Sequence, residues 1–179
     1  MKLPLLVAHF IDRLNDMFGE VAKWSVMLSC LISALNAMVR YLFDIGSNGW
    51  LEIQWYLFAG CVMLGAPQVL RLNEHVRVDV IYGRLDSQKK VWIDLLGLLG
   101  FLMPAMLVML YYSTPLFLRM FHSGEMSSNA GGLIRWPVML MLPLGFSLVL
   151  LQGISEIIKR IGWLTHTFEM DIHYERPLQ

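Results

Sequence analysis

The sequence predicts an all-α integral membrane protein with four transmembrane helices, both termini cytoplasmic, and an N-terminal amphipathic interfacial helix. Three observations lead there. Hydrophobic residues make up 56% and charged residues 16% of the 179-residue chain, against roughly 45 to 50% and about 25% in soluble domains. Four stretches, 24–39, 53–70, 95–118 and 136–155, contain no Asp, Glu, Lys or Arg. At ~1.5 Å rise per residue, each approaches or exceeds a ~30 Å hydrocarbon core once a residue or two of flank is added. Cations are also unevenly divided. The N-terminal segment, the middle loop and the tail together hold eleven Lys and Arg, whereas the first and third loops hold only Arg40, Arg119 and Arg135. The positive-inside rule therefore places both termini in the cytoplasm and the first and third loops outside. Residues 1–179 are expected to form a single membrane domain, with spans over 22–41, 51–71, 91–114 and 135–160 and a tail over 161–179.

Taken in order, the chain first places Leu6, Phe10, Leu14, Met17, Phe18 and Val21 at helical spacing, with His9, Asp12, Asp16 and Glu20 on another side. This predicts an amphipathic helix over 5–21 at the membrane surface. Its acidic face would be repelled by anionic headgroups, so it suits either a protein partner or plain solvation. Acidic residues and Arg13 interrupt the segment before the first long apolar run, which is unlike a cleaved signal peptide. The first span carries Asn36 and ends at Arg40 and Tyr41, and the second opens at Trp50, Glu52 and Gln54. Asn36 and Arg40 share a helix face. Arg40 and Glu52 are expected to pair at the lip of this hairpin, each lowering the other's desolvation cost. The alternative is that Arg40 snorkels, with Trp50 and Tyr41 in an aromatic belt.

The middle loop carries His75, Arg77 and Asp79. A His and an Asp four apart could face one metal, but two ligands do not make a site, so a polar cytoplasmic cap and no metal are expected. Asp86 or Ser87 is the predicted N-cap of a third helix that starts below the membrane. Pro104 and Pro143 predict kinks or local unwinding. Gly, Ser and Asn between Ser123 and Gly132 predict an irregular, adaptable outer surface. Arg135-Trp136-Pro137 opens the last span, which is expected to run past Glu156, Lys159 and Arg160 into the cytoplasm.

Several function classes are excluded by what the chain carries. Fourteen cations balance fourteen anions, so no basic field exists to hold a nucleic acid. Cys30 and Cys61 lie within apolar runs and read as buried small thiols. None of the five histidines falls in an uncharged span, which removes the axial ligands of a membrane cytochrome. The midplanes hold no acid or base, and the chain has no phosphate loop, nucleophile elbow or metal motif. No enzymatic activity and no cofactor are expected.

Asn36-Ala-Met-Val-Arg40-Tyr41, then Trp50-Leu-Glu52, His75-Val-Arg77-Val-Asp79, Arg135-Trp136-Pro137 and Pro143-Leu-Gly-Phe146, in that order on a four-span chain, resemble the small permease subunit of tripartite ATP-independent periplasmic (TRAP) transporters. The likeness covers about residues 20 to 162. It implies a bacterial inner-membrane protein that joins a large multi-span permease holding the substrate and sodium sites. A periplasmic binding protein captures the substrate. The chain would enlarge the fixed scaffold against which the large subunit's transport domain moves, with membrane lipid around it. Ser127 to Gly132 and Gln152 to Glu156 look like the branch that imports organic acids. On this reading Asn36, Arg40, Trp50, Glu52, His75, Arg77 and Asp79 serve subunit contact or structure, and Asp44, Glu125 and Arg135 help dock the binding protein. A self-contained four-helix exporter, or the membrane anchor of a redox enzyme, are the alternatives. The first should carry an embedded carboxylate and the second histidine ligands in its spans.

Overall fold

The computed structural model describes residues 2–73 and 85–168; His75, Arg77 and Asp79 lie outside the described residues. The described chain is helical, with helices α1 (Lys2–Phe43), α2 (Asn48–Leu72), α3 (Ser87–Gly97), α4 (Met103–Ser123) and α5 (Trp136–Leu164). A π-helical turn, Leu98–Leu102, joins α3 to α4. Four segments are long and apolar enough to cross a membrane: Leu3–Phe43, Asn48–Leu72, Ser87–Ser123 and Trp136–Leu164. Among the described residues there is no strand, only an isolated bridge between Met126 and Ile134.

Local chemistry explains the ends. Asp86 caps α3, its side chain accepting from the Ser87 N–H at 2.9 Å, as the sequence predicts. Asn73 and Gly124 close α2 and α4 in the left-handed conformation, which Asn and Gly tolerate best. Pro104 sits in the first turn of α4 directly after the π turn, so the disturbance expected there falls just before the proline. Pro143 lies inside an unbroken α5, where Ser147 donates to its carbonyl at 2.7 Å.

The first helix departs from expectation. Residues 5–21 and the first span form one continuous helix, with no break near Val21. Its inner half is buried at Ala8, Ile11, Asn15 and Ala22, because small and polar residues there let α5 approach closely. Beyond Ser25 the described residues of α1 include no buried side chain. The apolar core lies where α1, α2 and α5 meet: Ala22, Leu64 and Leu148, flanked by Leu14, Phe18, Met141 and Leu144. Gly145 is required at that crossing, since a Cβ would come within 2.8 Å of the Met63 backbone and side chain. The helix α4 packs against α5. Large apolar side chains remain exposed along α1, α2 and α4, as suits a surface that meets lipid or other membrane helices.

Candidate functional site: an outer polar clamp

The first three turns of α2 present Asn48, Glu52 and Tyr56 at intervals of four, so the three lie on one face. All three reach the loop between α4 and α5. Asn48 Nδ2 donates to the Ala130 carbonyl at 3.0 Å, and Tyr56 Oη donates to the Ile134 carbonyl at 3.0 Å. Between them Glu52, only 3% exposed, accepts from the Asn129 amide at 2.8 Å, the Leu133 N–H at 2.7 Å and the Ser127 hydroxyl. A carboxylate has about four acceptor positions. Three are taken, and all three donors are neutral groups of one loop.

The loop closes on itself as well. Ser127 N–H donates to the Leu133 carbonyl and Arg135 N–H to the Glu125 carbonyl, both at 2.9 Å. Gly131 lies at φ +71°, and a Cβ on Gly132 would fall 2.5 Å from that of Ser127, so a side chain cannot be added there without moving the turn. Glu125 and Arg135 form a half-exposed ion pair at 2.6 Å. A cavity of about 280 Å³ lies under the loop, lined by Glu52, Trp55, Tyr56, Asn129, Arg135 and Met139 among others.

The sequence-predicted residues distribute as follows. Glu52, Glu125 and Arg135 come together in this clamp. Asp44 lies in the short α1–α2 connection, exposed and at φ +54°, and the contact of Asn48 with Ala130 sets that connection beside the loop. Trp50 is exposed on α2. Asn36 is half-buried on α1 and Arg40 is exposed. The expected Arg40–Glu52 pair is not formed. The loop donors occupy Glu52, and Arg40 has no ion-pair partner among the described residues. The expected adaptable outer loop is likewise corrected to a braced one. Sequence reasoning missed Asn48, Tyr56, Ser127, Asn129 and Leu133 as partners, although the four-residue spacing of 48, 52 and 56 was visible.

A second polar cluster occupies the opposite end of the bundle, near the N-terminus. Asp12 and Asn15 of α1 meet Gln152, Ser155, Glu156 and Lys159 of α5. Gln152 Nε2 donates to Asp12 at 2.9 Å, Ser155 Oγ donates to Asp12 at 2.8 Å, and Asn15 Nδ2 donates to Gln152 at 2.7 Å. Lys159 bridges Asp12 at 3.2 Å and Glu156, while Arg160 bridges Glu156 and, at 3.3 Å, Asp94 of α3. Asp16 pairs separately with Arg71 of α2. Asp12 and Asp16 of the acidic face are therefore turned inward while His9 and Glu20 stay exposed, and the charged end of α5 is buried rather than free in solvent. Among the described residues no group of three or more His, Cys, Asp or Glu is arranged to hold a metal ion.

Comparison with known proteins adds an independent finding. A family model described as tripartite ATP-independent periplasmic transporters, DctQ component, matches residues 29–162. A Haemophilus influenzae protein named as a TRAP transporter small permease protein is 34% identical over 80 residues, covering 44% of this chain and 47% of that protein. The match thus spans about half the length of that relative. No solved structure matches the chain.

Proposed function

Because the chain belongs to the DctQ component family of tripartite ATP-independent periplasmic transporters, we propose that it is the small membrane subunit of a sodium-coupled importer of an organic acid. In this reading it scaffolds the large permease subunit and helps a periplasmic binding protein land on the outer face. It resides in the bacterial inner membrane with both termini cytoplasmic. The observation that carries the docking role is the clamp. Asn48, Glu52 and Tyr56 hold the longer outer loop in one shape, with Glu125 and Arg135 side by side at its base. A surface held in one conformation before contact loses less conformational freedom on binding. Paired charges of both signs at a rim tune encounter rate and salt dependence.

The scaffold role is supported by the exposed apolar faces of α2 and α4, which a larger membrane partner could cover. Asn36 and Arg40 lie on the side of α1 away from Leu31, and Trp50 lies at the start of α2; His75, Arg77 and Asp79 are assigned to the inner cap from sequence alone. The test is co-purification of the tagged chain from native membranes, followed by reconstitution into liposomes. The reading predicts a large permease in the preparation and sodium-dependent uptake only when large subunit and binding protein are both present. Uptake by liposomes holding this chain alone would overturn it. Reporter fusions at Gln179 and within 123–132 should report opposite compartments.

A further inference from the structure

The third span runs past its expected end at 114, to Ser123, and its outer half carries polar groups where a lipid-facing helix should have none. Tyr111 and Tyr112 of α4 are 73% and 71% exposed. Their rings touch edge to face, with centroids 5.3 Å apart, and neither hydroxyl has a hydrogen-bond partner among the described residues. They precede Arg119 by eight and seven residues, which sets them on the order of 10 to 12 Å deeper along the axis. With the aromatic pair Phe121 and Trp136, centroids 5.4 Å apart, taken as the outer interface, the tyrosines lie below it. Side chains on a helix lean toward its N-terminus. Both phenols are thereby biased away from that boundary, toward the apolar run Met103–Leu110.

An unpartnered hydroxyl in hydrocarbon is unfavourable, and membrane tyrosines ordinarily gather at the interface. The neighbouring Ser113 and Thr114 satisfy themselves on the Leu110 carbonyl, at 3.4 and 2.8 Å. A rigid phenol has no such recourse. Pro115 adds to the deficit, since its missing N–H leaves the Tyr111 carbonyl without a helical donor. Arg119, also exposed, has no ion-pair partner among the described residues. Val108, Tyr111, Tyr112, Pro115 and Arg119 fall within roughly 100° of one another around the helix. They make one face.

We propose that this face of α4 seats a transmembrane helix of the large permease subunit, one that offers hydrogen-bond acceptors at the depth of the tyrosines and a carboxylate near Arg119. The identity of the occupant rests on the functional reading above; the face does not. A second copy of this chain is disfavoured there, because a twofold contact within one membrane sets Arg119 opposite Arg119 at equal depth. The outer half of α1 is also exposed, but its Ser33 can bond its own backbone, and Asn36 is half-buried.

A photoreactive residue placed at Val108, or at Leu31 on α1, in the full chain within the native membrane complex tests this. The proposal predicts an adduct with the large permease, identified by mass, from Val108 and none from Leu31. The double variant Tyr111→Phe, Tyr112→Phe should reduce the large permease retained through detergent washing by about threefold, and Arg119→Glu should reduce it further, while Leu31→Ala leaves it unchanged. An adduct from Leu31 and not from Val108 would leave the functional reading standing and overturn the face. A Val108 adduct with a second copy would overturn the occupant. Full retention by both the double variant and Arg119→Glu would overturn recognition through these polar groups. A wild-type preparation without any large permease would instead remove the functional reading, and the occupant with it.

Discussion

The two ends of this molecule satisfy buried carboxylates in different ways. At the end near the N-terminus Asp12, Glu156 and Asp94 pair with Lys159 and Arg160, with Gln152 and Ser155 filling further positions. At the opposite end Glu52 is held by neutral donors alone, all from residues 127–133. The inner cluster joins α1, α3 and α5, which are far apart in sequence, so it fixes architecture. The cluster around Glu52 shapes a single loop, and so determines the surface that end presents. Loss of a charge should therefore unfold the molecule at one end and reshape a surface at the other.

Lys159→Met offers the harshest test of that contrast. It leaves the half-buried Asp12 without its cation and the buried Glu156 with Arg160 alone, so a loss of about 3 kcal/mol is expected in thermal unfolding of the detergent-solubilised protein. A change near zero would mean that the inner end is wet and its charges independent. Glu52→Gln should act locally instead. The amide cannot accept as well and places an N–H where the loop supplies donors, so hydrogen exchange across Ser127–Leu133 should accelerate about tenfold, with the α1–α5 contacts unaffected. Global unfolding would erase the distinction between the ends. Gly132→Ala should disturb the same loop by a separate route, through the close approach to Ser127, and the two variants should not add.

Smaller effects sharpen the picture. Arg135→Ala removes a half-exposed pair and should lower stability by less than about 1 kcal/mol, with its consequence seen in salt dependence of partner binding. Smallest of all is the coupling between Arg40→Ala and Glu52→Ala. Since Glu52 is engaged by the loop, the two changes should be additive. Measurable coupling would restore a direct pair.

The four spans were legible because uncharged runs of membrane length are a global signal that tolerates local ambiguity. The N-cap at Asp86 was legible because it is local. The clamp was half legible: Glu52, Glu125 and Arg135 drew notice as charges near a membrane boundary. Their partners did not, since a neutral Ser127, an Asn129 amide and a backbone N–H at Leu133 carry no pattern until the loop folds back on α2. The inner cluster was hidden for the opposite reason. Asp12 and Asp16 at four-residue spacing look the same whether an amphipathic helix faces water or another helix. The matching stripe at Gln152, Ser155, Glu156 and Lys159 on α5 would have pointed to a buried face, because polar residues recurring every three to four positions at the end of an apolar span need a neighbour.

If Glu52 holds the proposed landing surface in one shape before contact, the most direct test is sodium-driven uptake by the reconstituted complex, titrated with binding protein, for the wild type and Glu52→Gln. The account predicts a severalfold rise in the half-saturating concentration of binding protein, with the maximal rate and the subunit composition unchanged. A fall in maximal rate at unchanged half-saturation, or identical curves for the two proteins, would contradict it.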